Sequence, residues 1–551
     1  MSAATGVPGR RRGHWRAVSR TSPARIAREV FGHEHLLDGQ AEAIRALGRG
    51  RDVLLVSPTG SGKSLVYQVA GVAAGGLTVV VSPLLALQRD QLDHLSQVDR
   101  AGRRERTRAA RLSSEETPAQ QDEVLAGAAD GELDFLFLAP EQLARDEVRQ
   151  ALAEAGPVLA AVDEAHCVSS WGHDFRPDYQ RLRELLEDVG GPVTVALTAT
   201  AAPPVREDIA TRLLRDPELV VTGFARDNLA LSVRHVADAD QQRAAVLELV
   251  SEQPDDAAGI VYCRTRREAD ELADELAGQL AGTGRRVASY HAGHGARRRR
   301  ETQEAFLGER PTLDVVVATS AFGMGVDRPD VRFVVHHRAP ESPDSYYQEV
   351  GRAGRDGEPA SAVLVHRPED LALGRFFSAG VPKEKDVAAV LAASEQTGST
   401  DPRVVAERSG SGPRKTARIL GLHGQVDPEA ADPVDAVVQL AEARRALDRS
   451  RVDLVREYAE TRRCRCEFLL AYFGEPDREL CGRCDNCRAG VSRRPVDEGP
   501  YAVGARVSHE EFGAGLVSDV EDDRLTVLFD DVGYRTLSLA VVEEQDLLDL
   551  A

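Results

Sequence analysis

The sequence predicts an α/β protein with two consecutive parallel-sheet domains, a helical cysteine-rich region and a small C-terminal β-barrel. Three observations predict this architecture: a glycine-rich phosphate-binding pattern at residues 57–64, apolar strands alternating with helical stretches over residues 52–378, and five cysteines between residues 464 and 487. The chain of 551 residues also exceeds the roughly 250–300 residues at which single cores stop growing, so several domains are expected.

The composition indicates a protein of the cytoplasm. The chain has a net charge of −20 and 42% hydrophobic residues. It contains no signal-peptide core and no apolar run near the roughly 20 residues that cross a bilayer, so we expect no membrane partner. The acidic balance does not exclude nucleic acid, because a local groove can be basic while the rest of the surface is acidic. Residues 1–22 are basic and predict a disordered tail.

The first domain contains a phosphate-binding loop. Residues 57–64 follow the apolar run 53–56 and precede a stretch typical of a helix. Glycines let backbone N–H groups curl around a polyphosphate, Lys63 can reach the outer phosphates, and the Ser64 hydroxyl can hold Mg2+. The general pattern opens with glycine where this chain has Ser57, and the following residues supply the turn instead. The candidate nucleotide-binding residues of the loop are Thr59, Gly60, Ser61, Gly62, Lys63 and Ser64.

Two adjacent carboxylates end another predicted strand. The apolar segment 157–162 leads directly into Asp163 and Glu164. In a nucleotide hydrolase, the first carboxylate of such a pair holds Mg2+ and the second takes a proton from the attacking water. An ordinary surface pair is the alternative, but a position about a hundred residues after a phosphate loop favours the catalytic interpretation.

Residues 224–379 repeat the alternation of strands and helices without a second phosphate loop. We therefore expect this second domain to contribute residues to the nucleotide site of the first. The segment 346–357 contains Arg352 and Arg355, which their spacing places on one helical face. Paired arginines can stabilise the charge on a transferred phosphoryl group. The alternative is a solvated, arginine-rich helix end.

Recognisable motifs lie at residues 57–64, 81–91, 139–141, 163–166, 290–293 and 318–327. The most discriminating is the segment 166–179, in which aromatic and charged residues interleave directly after the carboxylates. With it, the chain resembles the RecQ DNA helicases, a branch of superfamily 2, from about residue 27 to residue 490. The resemblance implies two tandem RecA-like parallel-sheet domains and ATP-dependent activity on DNA.

The resemblance also implies roles for individual residues. It implies that ATP and Mg2+ are held and hydrolysed by Lys63, Ser64, Asp163 and Glu164, and that coupling and transition-state stabilisation depend on Gln348, Arg352 and Arg355. Gln40 matches the glutamine that reads adenine in this family. The usual stacking tyrosine and a nearby arginine are replaced here by His33 and Leu37, which weakens the expected preference for ATP over other triphosphates.

The aromatic segment suits single-stranded DNA. Trp171, Phe175 and Arg176 can stack on bases, and each such contact contributes about 1–3 kcal/mol. A buried aromatic cluster is the alternative, but the interleaved charged residues make a purely apolar core unfavourable. The candidate DNA-binding residues are Trp171, His173, Phe175 and Arg176.

Four cysteines have the spacing of metal ligands: Cys464, Cys481, Cys484 and Cys487. Clustered cysteines in an intracellular protein indicate a metal site rather than disulfides, and the spacing suits either tetrahedral zinc or an iron–sulfur cluster. The resemblance extends through residues 472–475 and implies zinc in a structural role. Cys466 is expected to point elsewhere, because it lies two residues from Cys464; a swap between these two is the alternative.

Residues 384–425 predict three short helices separated by glycine-rich turns. This pattern favours a helix-turn-helix-like module in which Arg414, Lys415 and Arg418 contact phosphates. A small helical linker is the alternative. A winged helix, which RecQ proteins commonly place after the zinc region, is not evident.

Residues 500–551 alternate short strands with turns that contain glycine and aspartate, which predicts a small β-barrel. This segment resembles the Tudor-like C-terminal module of UvrD-type helicases, which contacts RNA polymerase. Because the segment is acidic, we expect a protein partner, RNA polymerase or a repair protein, rather than DNA. A stabilising cap is the alternative.

The leading hypothesis is a DNA helicase that uses ATP, Mg2+ and a structural Zn2+ and acts on single-stranded and forked DNA. Its 3′–5′ direction and a role in recombination or repair rest on the resemblance. The rival hypothesis is an ATP-switched DNA-binding scaffold that recruits a partner through the C-terminal barrel; an RNA helicase is disfavoured by the aromatic segment. The predicted domains are residues 1–22 (tail), 23–223 (first RecA-like), 224–379 (second RecA-like), 380–430 (helix-turn-helix-like), 431–492 (zinc-binding) and 500–551 (barrel).

Overall fold

The chain, analysed as a computed structural model, divides into two compact units, residues 1–223 and 224–551. The predicted tail lies outside the described residues except for Ser22. Of the helices in the described part of the chain, none combines the length and hydrophobicity that a bilayer crossing requires. The described residues are 22–83, 85–96, 107–113, 115–169, 179, 181–308, 310–323, 327–370, 380–426, 430–475, 479–492, 501–502, 505–520, 524–530 and 532–550.

The first unit begins with two helices and then alternates strands with helices. Its elements are α1 (Pro23–Phe31), α2 (Asp38–Gly48), β1 (Val53–Val56), α3 (Lys63–Ala74), β2 (Thr78–Val81), α4 (Leu85–Ser96), β3 (Ala109–Leu112), α5 (Pro118–Ala129), β4 (Phe135–Leu138), α6 (Pro140–Leu143), α7 (Asp146–Ala155), β5 (Leu159–Val162), a 3-10 helix (Ala165–Val168), α8 (Leu182–Asp188), β6 (Val193–Thr198), α9 (Pro203–Arg212) and β7 (Glu218–Val221).

These strands form one parallel sheet in the order β3-β4-β2-β5-β6-β1-β7. The strands β1, β2, β4 and β5 are buried at every position, as expected for a parallel sheet covered on both faces. Helix α3 packs against the sheet through residues such as Val66 and Val69. Buried Asp52 accepts backbone hydrogen bonds from Thr194 and Arg215, both at 2.9 Å, and so fastens the start of β1 to the neighbouring segments.

The second unit contains another α/β region, a helical region and a terminal sheet. Its elements are β8 (Leu229–His235), α10 (Ala239–Ser251), β9 (Ala258–Tyr262), α11 (Arg266–Gln279), β10 (Val287–Tyr290), α12 (Ala296–Leu307), β11 (Val315–Ala318), β12 (Val331–His336), α13 (Pro343–Val350), β13 (Ala360–His366), α14 (Glu384–Thr397), α15 (Pro402–Ser409), α16 (Pro413–His423), α17 (Pro433–Glu460), α18 (Arg465–Tyr472), α19 (Asp485–Arg488), β14 (Arg506–His509), β15 (Gly513–Val520), β16 (Arg524–Phe529), β17 (Gly533–Ser538), α20 (Leu539–Gln545) and β18 (Asp549–Leu550).

The strands β8 to β13 form a second parallel sheet in the order β10-β11-β9-β12-β13-β8. Two parallel-sheet domains, predicted from the alternation of strands and helices, are therefore confirmed. Helices α14, α15 and α16 share a small core with α17. Lys415 of α16 forms an ion pair with Asp386 at 2.5 Å, so its ammonium group already has a carboxylate partner within the helical region. The helix-turn-helix-like function of these helices stays a prediction.

The C-terminal strands form an antiparallel sheet in the order β17-β16-β15-β14-β18. Its own core includes Val507, Val527 and Phe529, which are fully buried. Closure into a barrel would require β17 to pair with β18, and no such pairing is found among the described residues. The two-residue length of β18 offers little backbone for that pairing. A small antiparallel sheet is thus present, and the barrel stays a prediction.

Candidate functional site

The predicted phosphate loop lies at the carboxyl end of β1 and leads into α3. Gly60 and Gly62 have φ angles of +81° and +70°, in the left-handed region that favours glycine. Gly62 is the N-cap of α3, so the unsatisfied N–H groups of the first helical turn end at the loop. These groups and the helix dipole favour an anion at this position. The loop therefore has the backbone conformation that a polyphosphate requires.

Hydroxyl groups fasten the phosphate loop to the end of the sheet. The Ser57 hydroxyl donates a hydrogen bond to Ser61 Oγ at 2.6 Å and accepts one from Thr222, just after β7, at 2.7 Å. Glycine at position 57, as in the general pattern, could make neither bond. Lys63 Nζ donates to the backbone carbonyls of Ser57 at 3.0 Å and Pro58 at 3.1 Å, so the ammonium group lies over the loop.

Gln40 of α2 holds the phosphate loop from the side. Its amide nitrogen donates to the carbonyls of Ser61 at 2.9 Å and Gly62 at 3.1 Å, while its oxygen accepts from the Leu37 backbone at 3.0 Å. Both ends of the amide are engaged, which gives Gln40 a positioning role that its sequence pattern did not reveal. Its contact with adenine stays a prediction. His33 is exposed, and Leu37 exposes 58% of its surface.

The carboxylate pair lies at the carboxyl end of β5, two strands from the phosphate loop in the sheet. The Asp163 backbone N–H donates to the Val81 carbonyl at 2.9 Å, and its carboxylate accepts from the Glu164 N–H at 3.0 Å. Burial raises the pKa of Asp163, and the positive charge of Lys63 partly offsets that shift. The structure therefore brings Asp163 within electrostatic reach of the loop lysine.

Glu164 has a strained backbone. Its φ of 49° and ψ of 46° lie in the left-handed region, which costs a residue other than glycine or asparagine about 1–3 kcal/mol. The strain turns the chain from β5 into the 3-10 helix Ala165–Val168. Strain of this kind persists where the surrounding structure holds it, and it is concentrated at functional sites. It fixes the direction in which the Glu164 carboxylate leaves the strand.

A buried hydrogen-bond chain connects the ends of β5 and β6. His166 Nδ1 lies 3.0 Å from the Thr198 hydroxyl, which in turn donates to the Thr200 carbonyl at 3.0 Å. The Glu164 carboxylate lies 3.4 Å from the same His166 nitrogen. The sequence showed both segments but not their connection, because 32 residues separate His166 from Thr198.

The predicted DNA-binding residues Trp171, His173, Phe175 and Arg176 lie outside the described residues. The described residues on either side are anchored in the first unit. Ser169 donates to the Asp208 carboxylate at 2.6 Å, and the Tyr179 hydroxyl donates to the Asp163 carbonyl at 3.2 Å. Of these two described residues, Tyr179 contacts the carboxylate pair directly through the Asp163 carbonyl.

In the second unit, the expectation that Arg352 and Arg355 share a helical face is wrong. Helix α13 ends at Val350, and both arginines lie in the turns that follow. Gly354 has a φ of +59°, and its N–H donates to the Val331 carbonyl at the start of β12 at 2.8 Å. This bond turns the chain toward β13 instead of continuing the helix. Gln348, the third predicted residue, lies on α13.

Arg226 and Asn228 hold this arginine segment, here defined as residues 351–356, through its carbonyl groups. The Arg226 guanidinium donates to the carbonyls of Gly351 at 3.1 Å, Ala353 at 2.8 Å and Gly354 at 2.9 Å. Asn228 donates to the Gly354 carbonyl at 2.7 Å. The sequence did not identify either residue, because one arginine among many carries no signal of a contact that spans more than a hundred residues.

The arginine segment concentrates positive charge. Arg352 is 3% exposed, and Arg355 donates to Asp327 at 2.7 Å. Burial lowers the pKa of Arg355, and the neighbouring charge of Arg352 lowers it further. The Nε atoms of both arginines have no hydrogen-bond partner in the described part of the chain. Asp327 already pairs with Arg355, and the second buried guanidinium group beside it makes this segment a candidate phosphate contact.

The four predicted metal ligands form one cluster. The Sγ atoms of Cys464, Cys481, Cys484 and Cys487 all lie within 4.8 Å of one another, and those of Cys481 and Cys487 are 3.9 Å apart. A tetrahedral zinc site with Zn–S bonds of about 2.3 Å requires sulfurs about 3.8 Å apart. Backbone N–H groups also point at the sulfurs, for example from Cys484 to Cys481 at 3.3 Å. The donor set therefore fits zinc.

The group of four mutually close sulfurs does not include Cys466, whose orientation away from the metal ligands stays a prediction. The cluster is attached to the second parallel sheet by its neighbours. Asp485 accepts from the Val233 backbone at 2.8 Å, and Arg483 donates to Asp227 at 2.9 Å.

Comparison with known proteins agrees with this geometry. Family models match residues 38–209 (DEAD/DEAH box helicase), 241–357 (helicase conserved C-terminal domain) and 430–488 (RecQ zinc-binding). The chain is 35% identical to the ATP-dependent DNA helicase RecQ of Bacillus subtilis, over 89% of this chain and 71% of that protein. It is 34% identical to the probable ATP-dependent DNA helicase RecS of the same organism, over 84% and 91%.

Solved structures show the same fold. A structure of the Mycobacterium smegmatis helicase Lhr bound to single-stranded DNA and AMP-PNP aligns with a TM-score of 0.52 and 22% identity, over 78% of this chain and 62% of that chain. The DEAD-box helicase Mss116 bound to single-stranded RNA aligns with a TM-score of 0.51 and 15% identity, over 71% and 85%. At these identities the likeness concerns the fold alone.

Proposed function

We propose, from the premise that this chain belongs to the RecQ family of DNA helicases, that it hydrolyses ATP to move along single-stranded DNA and to unwind duplex DNA. The observation that carries the proposal is the first unit's site, in which a loop shaped for polyphosphate lies within electrostatic reach of a carboxylate pair. The zinc-type cysteine cluster and the names of the relatives support the same activity.

Hydrolysis would use the residues at the carboxyl ends of β1 and β5. The loop N–H groups and Lys63 bind the triphosphate, and Lys63 exchanges its bonds to loop carbonyls for bonds to the outer phosphates. Ser64 and Asp163 supply the oxygen ligands that Mg2+ prefers, and the ion would neutralise phosphate charge. Glu164, directed by its strained backbone, accepts the proton of the attacking water.

The arginine segment would stabilise the transition state of ATP hydrolysis. As the phosphoryl group transfers, negative charge spreads over its oxygens, and guanidinium groups stabilise that charge. Arg352 and Arg355 have Nε donors without partners in the part of the chain that the structure describes, which supports this role. Gln348, one helical turn earlier, would couple hydrolysis to movement.

DNA binding is assigned to the segment that contains Trp171 and Phe175, whose rings stack on unpaired bases. We propose movement in the 3′–5′ direction and a role in recombination or repair at the nucleoid, in the cytoplasm. These details rest on membership of the RecQ family.

The C-terminal sheet is proposed to close into a Tudor-like barrel that binds a protein, either RNA polymerase or a repair factor. The acidic composition of this segment supports a protein partner over DNA, because phosphates would be repelled. Capture of purified RNA polymerase by the full chain, and its loss after truncation at residue 500, would test this assignment.

The activity is tested by measuring ATP turnover without nucleic acid, with single-stranded DNA and with single-stranded RNA. Strand displacement is then followed on duplexes that carry a 3′ or a 5′ single-stranded tail. We expect stimulation by DNA and displacement of the 3′-tailed substrate. Stimulation by RNA alone would contradict DNA as the substrate. Stimulation by DNA without strand displacement would contradict duplex unwinding. Displacement of only the 5′-tailed duplex would contradict movement in the 3′–5′ direction.

A further inference from the structure

The C-terminal sheet lies directly against the helical region of its own unit. A Cβ added at Gly533 of β17 would lie 2.5 Å from the Ser450 hydroxyl and 3.2 Å from the Leu447 Cα of α17. A side chain would not fit there without moving the sheet. The Thr536 hydroxyl donates to Glu457, further along the same helix, at 3.3 Å. The sheet is therefore packed on α17 along the length of β17.

The two faces of β17 have different neighbours. Arg535 lies over the Phe512 ring, and Leu537 packs on the sheet's own core. Tyr534, the residue before Arg535, points to the other face, where it is 8% exposed and its ring lies 5.8 Å from that of Tyr472 in α18. Burial raises the pKa of Tyr534.

From Tyr472 the contacts lead into α13. The Tyr472 hydroxyl donates to the Asp344 carboxylate, which lies in the first turn of α13 and is 1% exposed. The adjacent ring of Phe473 lies 4.9 Å from that of Tyr347, also in α13. On the other side of α13, the Tyr346 ring lies 4.9 Å from that of Tyr458 in α17. Both helices that carry the C-terminal sheet thus hold α13.

Helix α13 matters because it leads into the arginine segment. It carries Gln348 and ends at Val350, two residues before Arg352. A shift of α13 would move the guanidinium groups, and misplacement by about 1 Å at a catalytic site can cost about a hundredfold in rate.

We propose that the C-terminal sheet braces α13 and that Tyr534 is a positioning residue for ATP hydrolysis, acting through Tyr472 and Asp344. This inference rests on the proposed role of Arg352. It gives residues 501–550 a function inside the motor, independent of any protein partner.

The test replaces Tyr534 with Ala in the full chain and measures DNA-stimulated ATP turnover. We expect kcat to fall about tenfold, with the KM for ATP and the affinity for single-stranded DNA unchanged within about twofold. The reason is that the C-terminal sheet is proposed to position the guanidinium groups of the arginine segment rather than to bind ATP or DNA. Tyr534→Phe keeps the ring and should recover most of the rate. Arg535→Ala, on the opposite face of the same strand, is the matched control and should stay within about twofold of the unmodified chain.

Hydrogen–deuterium exchange provides a second readout. We expect exchange in residues 343–356 to be faster in Tyr534→Ala and unchanged in Arg535→Ala. Unaltered kcat together with unaltered exchange in folded Tyr534→Ala would overturn the proposal. If Tyr534→Ala does not fold, Tyr472→Phe removes only the hydroxyl bonded to Asp344 and must lower kcat for the proposal to stand.

Arg352→Ala, measured in parallel, separates this inference from the proposed function. If Arg352→Ala keeps full turnover, the role of the arginine segment is wrong, but the exchange data still decide whether the sheet braces α13. If Arg352→Ala loses turnover while Tyr534→Ala keeps both its rate and its exchange pattern, the brace alone is refuted.

Discussion

The two parallel sheets have the same strand order but carry different chemistry in their connections. Strands β1 to β6 of the first sheet and β8 to β13 of the second are arranged alike, with β7 added at one edge of the first. After the first strand, the first unit has the phosphate loop, whereas the second has only helix α10, capped by Asp238.

The connection after the fifth strand differs as well. In the first unit it begins with Asp163 and Glu164, at the carboxyl end of β5. In the second unit the charged side chains lie at the end of this connection, because Arg352 and Arg355 follow α13 and precede β13. The same strand arrangement thus carries two carboxylates in one unit and two guanidinium groups in the other. The proposed function divides ATP hydrolysis between these two sets of side chains, and the following substitutions test that proposal.

Glu164→Gln tests the contribution of the first unit to ATP hydrolysis and has the largest expected effect. We expect kcat for ATP to fall about a thousandfold, because the amide keeps the shape of the side chain but cannot take a proton from water. Nucleotide affinity should be unchanged. Steady-state turnover and nucleotide binding are measured together, with Glu184→Gln, an exposed carboxylate of α8, as the control. Retained hydrolysis would remove Glu164 from the proposed role.

Arg352→Ala tests the contribution of the second unit to ATP hydrolysis. We expect kcat to fall about a hundredfold, the effect of removing one donor to a developing charge. Arg297→Ala provides a matched control, because that arginine is also in the second unit but its side chain is 85% exposed. If both variants turn over ATP at the rate of the unmodified chain, the second unit contributes no essential charge and the division of labour fails.

Trp171→Ala tests whether single-stranded DNA stimulates ATP turnover through a segment of the first unit. We expect affinity for single-stranded DNA to weaken by about 1–3 kcal/mol, the value of one base stack, and stimulation of turnover by DNA to be lost. Turnover without DNA should not change. Trp171→Phe keeps an aromatic face and should retain most of the stimulation. If Trp171→Ala is stimulated normally, the segment has only a packing role.

Arg226→Met has the smallest expected effect and concerns how the arginine segment is held. The carbonyls of Gly351, Ala353 and Gly354 would lose a shared donor, which should lower the free energy of unfolding of the second unit by about 1–2 kcal/mol. Urea denaturation measures this change, and Arg226→Lys, which keeps one donor group, should lose less. An unchanged urea midpoint would show that the Arg226 hydrogen bonds are not needed to hold the arginine segment.

Short patterns in the sequence predicted the phosphate loop, the carboxylate pair and the four cysteines, because spacing along the chain determines their chemistry. Contacts between distant residues were not predictable in the same way. The hydroxyl of Ser57 joins the phosphate loop to the end of the sheet because it accepts a hydrogen bond from Thr222, 165 residues away in the sequence. The arginines were assigned to a helical face because spacing alone does not show that Gly354 bonds to Val331 and turns the chain.

The most direct test of one nucleotide served by both units compares two ligands on the unmodified chain and on Arg352→Ala. The ligands are ADP and ADP with aluminium fluoride, which mimics the phosphoryl group in transfer. Because the arginine is proposed to act on charge that develops only during transfer, ADP should bind both proteins equally, and the mimic should bind Arg352→Ala at least about tenfold more weakly. Equal affinities for the mimic, or the same loss for both ligands, would contradict the account.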